Sequence, residues 1–284
     1  MVAYAYDDAS QLTGLTYTLG STTLGTLTYT YDSTGNRTAV GGTWARTNLP
    51  AALNSATYDA ANQIVTWGSQ SFTHDLNGSL TNDGTRTYTW NARNQLSTLS
   101  GAVSASFQYD GMGRRRRKTI ASASTGFLHD GLNAVQESTS GTPSANIVAG
   151  LGLDEWFARV DGAGTSYFLG DALGSTLALA DGAGAVQTAY TYEPFGGFST
   201  SGASTSNPSA FTGREADGTG LYFYRARYYH PQLQRFASED PLRDRSSGTD
   251  NIRFELTGTR GARCRLPQSS ADSRRTGQTT LRGS

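Results

Sequence analysis

The side chains able to support catalysis or metal binding are few in this 284-residue chain: three histidines, one cysteine, one basic run and scattered carboxylates. His74, His129 and His230 show no metal-ligand spacing. His74 and His129 each precede an Asp and are expected to stand in for the Tyr of the Tyr-Asp pairs that recur along the chain. With Cys264 as its one cysteine, the chain forms no internal disulfide, and its redox compartment stays open. The run Arg114-Arg115-Arg116-Arg117-Lys118 has the composition of a nucleic-acid patch. It begins where a strand should begin, however, so alternate side chains would face opposite sides and two or three would be solvated. Asp-Gly-Ala-Gly occurs at 161–164 and again at 181–184. Both copies lack the alternating acidic ligands of a calcium loop and read as hairpin turns. No Gly-x-Ser-x-Gly elbow, phosphate loop or dinucleotide glycine pattern occurs. No metal or cofactor is therefore expected. Trp44, Trp67, Trp90 and Trp156 could stack on sugars if a sheet exposed them; otherwise they pack within it.

The elements that would position these residues are set by a repeat. An aromatic, then Asp or Asn, then a short polar stretch recurs from residues 6, 31, 58, 74, 90 and 109, at intervals of 16 to 27 residues. Examples are Tyr31-Asp32-Ser33-Thr34-Gly35-Asn36-Arg37 and Trp90-Asn91-Ala92-Arg93-Asn94-Gln95-Leu96. The alternation in Leu27-Thr28-Tyr29-Thr30-Tyr31 places Leu27, Tyr29 and Tyr31 on one face of a strand. The following Asp can bond its own backbone, and Gly or Asn in the fourth or fifth place accepts a left-handed conformation. Each unit is thus a strand, a turn and a strand. One hairpin cannot bury its apolar face alone, so the units are expected to pair edge to edge into an extended antiparallel sheet.

Composition agrees with an all-β class. Gly numbers 34, hydrophobic residues are 36% and aromatics 11%, with 15 Tyr. Many tyrosines suit half-buried strands, in which the ring packs and the hydroxyl is expected to stay wet. The formal net charge is +0. Residues 243–284 hold nine Arg against four acidic residues, so the body 1–242 is mildly acidic and no nucleic-acid partner is expected for it. No apolar run approaches the length of a membrane span, and the N-terminus lacks the pattern of a signal peptide.

The Tyr-Asp units resemble the YD repeats of bacterial Rhs proteins, toxin-complex shell proteins and teneurins. The segments Tyr167-Phe168-Leu169-Gly170-Asp171 and Tyr190-Thr191-Tyr192-Glu193-Pro194-Phe195-Gly196 are similar to the start of the Rhs-associated core. Phe211-Thr212-Gly213-Arg214-Glu215, Gly220-Leu221-Tyr222-Phe223-Tyr224-Arg225-Ala226-Arg227-Tyr228-Tyr229 and Ser238-Glu239-Asp240-Pro241 continue it. The resemblance divides the chain into YD repeats at 1–140, the core at 141–242 and an atypical Arg/Ser/Gly-rich tail at 243–284, which is expected to be disordered. It implies part of a spiralling β-shell that encloses or presents a C-terminal toxin in interbacterial competition. Expected partners are that toxin domain or further YD repeats. The resemblance also implies export or a cell-surface location. A carbohydrate-binding surface module, meeting cell-surface glycans through the four tryptophans, and an inert remnant of a disrupted locus are the other readings.

Many members of the family carry an aspartyl autoprotease in the core, and Arg227 and Asp240 match its first positions. Two carboxylates sharing a proton could activate water, with an Arg holding one of them charged. Here Arg243 stands where the motif wants Gly, and no second Asp-Pro occurs from 242 to 284. The chain is therefore expected not to be an enzyme.

Overall fold

A computed structural model of the protein describes residues 1–241. Apart from one 3₁₀ turn at Phe211–Gly213, every described element is a β-strand, and every strand pairing is antiparallel. The fold is all-β, as the repeat predicts. Among the described residues no helix is long and apolar enough to cross a membrane.

Each repeat unit closes in the same way. The aromatic residue pairs with the residue six positions on: Tyr6 with Leu12, Tyr31 with Arg37, Tyr58 with Ile64, His74 with Leu80, Trp90 with Leu96 and Tyr109 with Arg115. A register shift falls at the aromatic in all of these pairs. Inside the connection, the Asp or Asn carboxyl or amide oxygen accepts the backbone N–H four residues on, at 2.8–3.0 Å. The fourth residue of the turn has positive φ: Ser10, Gly35, Asn62, Gly78, Asn94 and Gly113. The Asp is thus a local cap on backbone donors that no strand can satisfy.

Two further kinds of hydrogen bond link unit to unit. Tyr31 Oη donates to Leu12 O at 2.7 Å, Tyr109 Oη to Leu96 O at 2.7 Å and Trp90 Nε1 to Leu80 O at 2.8 Å. These hydroxyls are not wet, contrary to the expectation from composition. They are half-buried on backbone carbonyls of the preceding unit, and burial pushes the Tyr109 phenol up to about 12. In the other direction, long polar side chains of one turn donate to carbonyls of the next. Arg93 Nη1 reaches Gly111 O, Gln95 Nε2 reaches Gly113 O, Arg114 Nη1 reaches Gly131 O and Asn133 Nδ2 reaches Gly152 O, at 2.9–3.4 Å.

Fourteen strands, from Thr73–His74 to Phe198–Gly202, form one sheet in strict chain order. The sheet runs without a break past residue 140, through the pair Thr139 and Thr142. The first units lie apart from it. Val2–Tyr6, Leu12–Leu19, Thr22–Tyr31 and Arg37–Gly41 form a four-stranded sheet, and Ala56–Tyr58, Ile64–Trp67 and Gln70–Ser71 a three-stranded one. The connection between these two sheets touches the far side of the fourteen-stranded sheet, where Asn48 N donates to Tyr192 O at 2.9 Å. The two Asp-Gly-Ala-Gly copies are both hairpin turns, of different kinds. Asp161 pairs directly with Gly164, whereas Ala180 pairs with Val186 across the second copy.

A small sheet of Glu215–Ala216, Tyr222–Tyr224, Arg227–His230 and Arg235–Phe236 completes the fold. Its alternating side chains enter two different cores. Tyr222 and Tyr229, a cross-strand pair, join the cluster of Leu15, Leu27, Trp44, Leu179 and Tyr192. Phe223 and Tyr228, the adjacent pair, join Leu80, Tyr88, Leu96, Leu99 and Phe107. A sheet buried on both faces needs apolar side chains at every position, which accounts for the aromatic density of 221–229. Each such ring is worth roughly 1.5–3 kcal/mol on burial.

Candidate functional site

The chemistry of the molecule gathers at the seam between the repeat strip and the small C-terminal sheet. Arg115 lies on the strand Arg115–Ile120, opposite Ala105–Tyr109. Because Tyr109 pairs with Arg115 while Gln108 pairs with Arg117, Arg116 is an extra residue in the ladder. The bulge brings Arg115 and Lys118 to the inner face, although their spacing is odd. Glu215 and Asp217, two apart on an extended segment, meet them there. Arg115 forms two hydrogen bonds to Asp217 and one to Glu215, and Lys118 Nζ donates to Asp217 at 2.8 Å. Arg115 is 1% exposed. Its guanidinium also lies 4.1 Å from the Phe223 ring centre. Burial opposes ionisation of both main partners, but the pairing outweighs it: Arg115 is held charged and the Asp217 carboxyl is lowered from its usual value.

A second ion cluster lies further along the seam. Asp154, in the loop before Trp156–Asp161, accepts from Arg225 at 2.6 Å and Arg214 at 2.9 Å, and the Trp156 indole donates to Gly213 O at 2.9 Å. A third joins the strip near Arg86–Trp90 to the small sheet. Arg86 bonds Asp83 at 2.7 Å, His230 Nε2 at 2.8 Å and the Thr219 carbonyl, while Tyr88 donates to Asp83 at 2.6 Å. Buried beside the Arg86 cation, the His230 imidazole is pushed down to about 4 and stays neutral. The pairings that cross the seam join residues far apart along the chain, Arg86 with His230 at a separation of 144, Arg115 with Asp217 at 102 and Arg225 with Asp154 at 71, and no local pattern signals them.

Arg227 and Asp240 are brought together. Arg227 Nη2 lies 3.1 Å from Asp240 Oδ2, and its guanidinium stacks 3.7 Å from the Phe236 ring centre. Leu242, Arg243 and the tail to 284, on which the rest of the motif was sought, lie outside the described residues.

The tryptophans do not form one group. Trp44 is 5% exposed and packs against the Tyr17 ring at 5.3 Å. Trp67 and Trp90 flank the second core cluster, and Trp156 is engaged by its Gly213 bond. His74 occupies the repeat's aromatic place, as expected. His129 does not. It precedes a two-residue turn in which Asp130 pairs with Asn133, so its His-Asp pair only mimics the repeat. Of the basic run, Arg116 and Arg117 are solvated, Arg114 bonds Asp110, and Arg115 and Lys118 point inward. Among the described residues no group of three or more His, Cys, Asp or Glu is placed to hold a metal.

Comparison with known proteins places this architecture. Residues 1–255 match the family model described as Teneurin YD-shell. The tRNA nuclease WapA of Bacillus subtilis (strain 168) is 29% identical over 234 residues, which are 79% of this chain and 10% of that protein. The double-stranded DNA deaminase toxin A of Burkholderia cenocepacia (strain H111) is 26% identical over 235 residues, 68% of this chain and 16% of that one. Among solved structures, the TcdB2-TccC3-Cdc42 crystal structure matches with TM-score 0.61 at 19% identity, over 84% of this chain and 17% of that one. The Photorhabdus luminescens Tc holotoxin pore matches with TM-score 0.61 at 16% identity, over 85% and 17%. The chain thus spans between a tenth and a sixth of these proteins. A repeat-built antiparallel strip, closed by a C-terminal segment buried on both faces and matched along residues 1–255, belongs to the Teneurin YD-shell family.

Proposed function

We propose that this chain is a wall segment of a shell that encloses or presents a C-terminal toxin in competition between bacteria. The observation that carries the reading is the seam: three ion clusters and two aromatic cores fasten the C-terminal segment onto the strip. Such a seam suits a wall that must stay closed rather than a cleft that must admit substrate. The names of the relatives, a tRNA nuclease, a DNA deaminase toxin and the subunits of a toxin complex, support a cargo of that class.

The chain itself acts as scaffold and does not cleave itself. Arg227 and Asp240 supply an ion pair. A second Asp-Pro, from which the other carboxylate would come, is missing from 242–284. Intact mass of the purified chain, followed over days with protease inhibitors present, is expected to stay at 30.2 kDa. Progressive loss of a C-terminal fragment would overturn this. The shell reading is tested by grafting this chain in place of the matching segment of a full-length relative such as the tRNA nuclease WapA. Sequence C-terminal to the strip should resist added protease in the intact protein and become sensitive in Arg115→Ala, and equal digestion of both proteins would remove the reading.

A further inference from the structure

A cavity of about 410 Å³ opens in the seam, between the turn ends of the strip and the C-terminal segment. Five guanidinium groups line it, those of Arg93, Arg114, Arg115, Arg214 and Arg225, against the carboxylates of Asp154, Glu215 and Glu239. The pairing leaves a positive surplus. Arg214 and Arg225 share the single charge of Asp154, and Arg93 makes no ion pair among the described residues, its Nη1 donating only to Gly111 O at 3.2 Å. The remaining wall is mixed: Met112, Leu132, Trp156, Phe223 and Pro241 give it an apolar part, and Asn94, Gln95, His129 and Ser238 a polar one.

A second, independent observation concerns hydrogen bonding. Three buried side-chain polar atoms lack a partner among the described residues: Arg115 Nε, Arg214 Nε and Ser238 Oγ. All three belong to residues that line this cavity. The two arginines face aromatic rings, Phe223 at 4.1 Å and Tyr224 at 5.0 Å, which offsets part of their deficit. Ser238, 6% exposed, has no such compensation. A buried hydroxyl left unbonded in the wall of a cavity is satisfied when an acceptor enters, because rotation about χ1 re-aims it.

We propose that this cavity is a binding site for a small monocarboxylate with an apolar body, such as an acylated amino acid. The planar carboxylate matches the fork of a guanidinium and accepts from Ser238, while the apolar body lies along the Trp156 and Phe223 side of the space. A doubly charged phosphate is disfavoured, because the wall already holds three carboxylates.

The test is titration calorimetry of the full 284-residue chain with N-acetyl-L-phenylalanine, its uncharged amide and inorganic phosphate as separate ligands. The acid should bind, and the amide should bind roughly tenfold more weakly, the cost of losing one charge-assisted hydrogen bond. Arg93 is exposed, so the double variant Arg93→Gln with Ser238→Ala should keep the unfolding curve of the parent. It should also lose roughly tenfold in affinity for the acid. Absence of binding, equal binding of acid and amide, or undiminished binding by the folded double variant would overturn the site. Preference for phosphate over the acid would overturn the assignment of its ligand.

Discussion

At the scale of the residue, the buried charges decide what the seam tolerates. Arg115→Ala leaves Asp217 ionised and unpaired apart from Lys118 in a fully buried place, and should cost about 3–5 kcal/mol in chemical denaturation. The double variant Arg115→Met with Asp217→Leu should recover most of that loss, since removing both charges removes the desolvation penalty with them. Failure of the second change to restore stability would mean that the ion pair itself, and not its orphaned partner, carries the energy. His230 gives a pH dependence. Its folded value, about 4, lies below the unfolded value near 6.5, so its contribution is full above pH 6.5 and is lost as pH falls toward 4. The loss amounts to something on the order of 3 kcal/mol over that window. His230→Gln should flatten this part of the stability curve, while Asp83, held at about 2, titrates below it. Identical slopes for the two proteins between pH 6.5 and pH 4 would dismiss this role for His230.

At the scale of the element, the repeat stitches itself together. The Asp caps its own turn, the aromatic donor bonds the unit before, and the long polar side chain reaches the unit after. Where that bond is made, at Tyr31, Trp90 and Tyr109, the ring packs and carries a donor at its tip, which Phe could not supply. Tyr31→Phe leaves Leu12 O without that partner and should cost about 1 kcal/mol. Tyr167 makes no such bond and is 45% exposed, so Tyr167→Phe should shift the denaturation midpoint negligibly. Equal effects of the two substitutions would argue that the Tyr31 hydroxyl contributes nothing.

At the scale of the whole molecule, neither core is complete without the C-terminal segment. A chain ending at Asn207 keeps every strand of the other three sheets but loses Tyr222 and Tyr229 from one cluster and Phe223 and Tyr228 from the other. With four rings worth roughly 1.5–3 kcal/mol each, that is comparable to the margin by which most domains are stable. Such a truncated chain should bind hydrophobic dyes and lose cooperative unfolding, and a sharp native-like transition would show the strip to be independent of the segment.

The sequence by itself determined what is local. Asp followed four places later by a backbone donor, Gly or Asn at the left-handed position, and alternating apolar residues fix each hairpin within about ten residues, so the all-β class and the turns at 6, 31, 58, 74, 90 and 109 were legible. The dense aromatic run at 221–229 marked a special segment, but not that its two faces would enter two cores. Tertiary structure alone decided the rest. An extra residue at Arg116 reversed the expected alternation and turned Arg115 and Lys118 inward, and that bulge becomes visible only when the partner strand is in place. His129 carried the Asp neighbour of a repeat but not its six-residue pairing. The ion clusters were illegible because a charge has no sequence periodicity: Arg115 and Asp217, or Arg86 and His230, become partners only after strands far apart in the chain have packed and water has left between them.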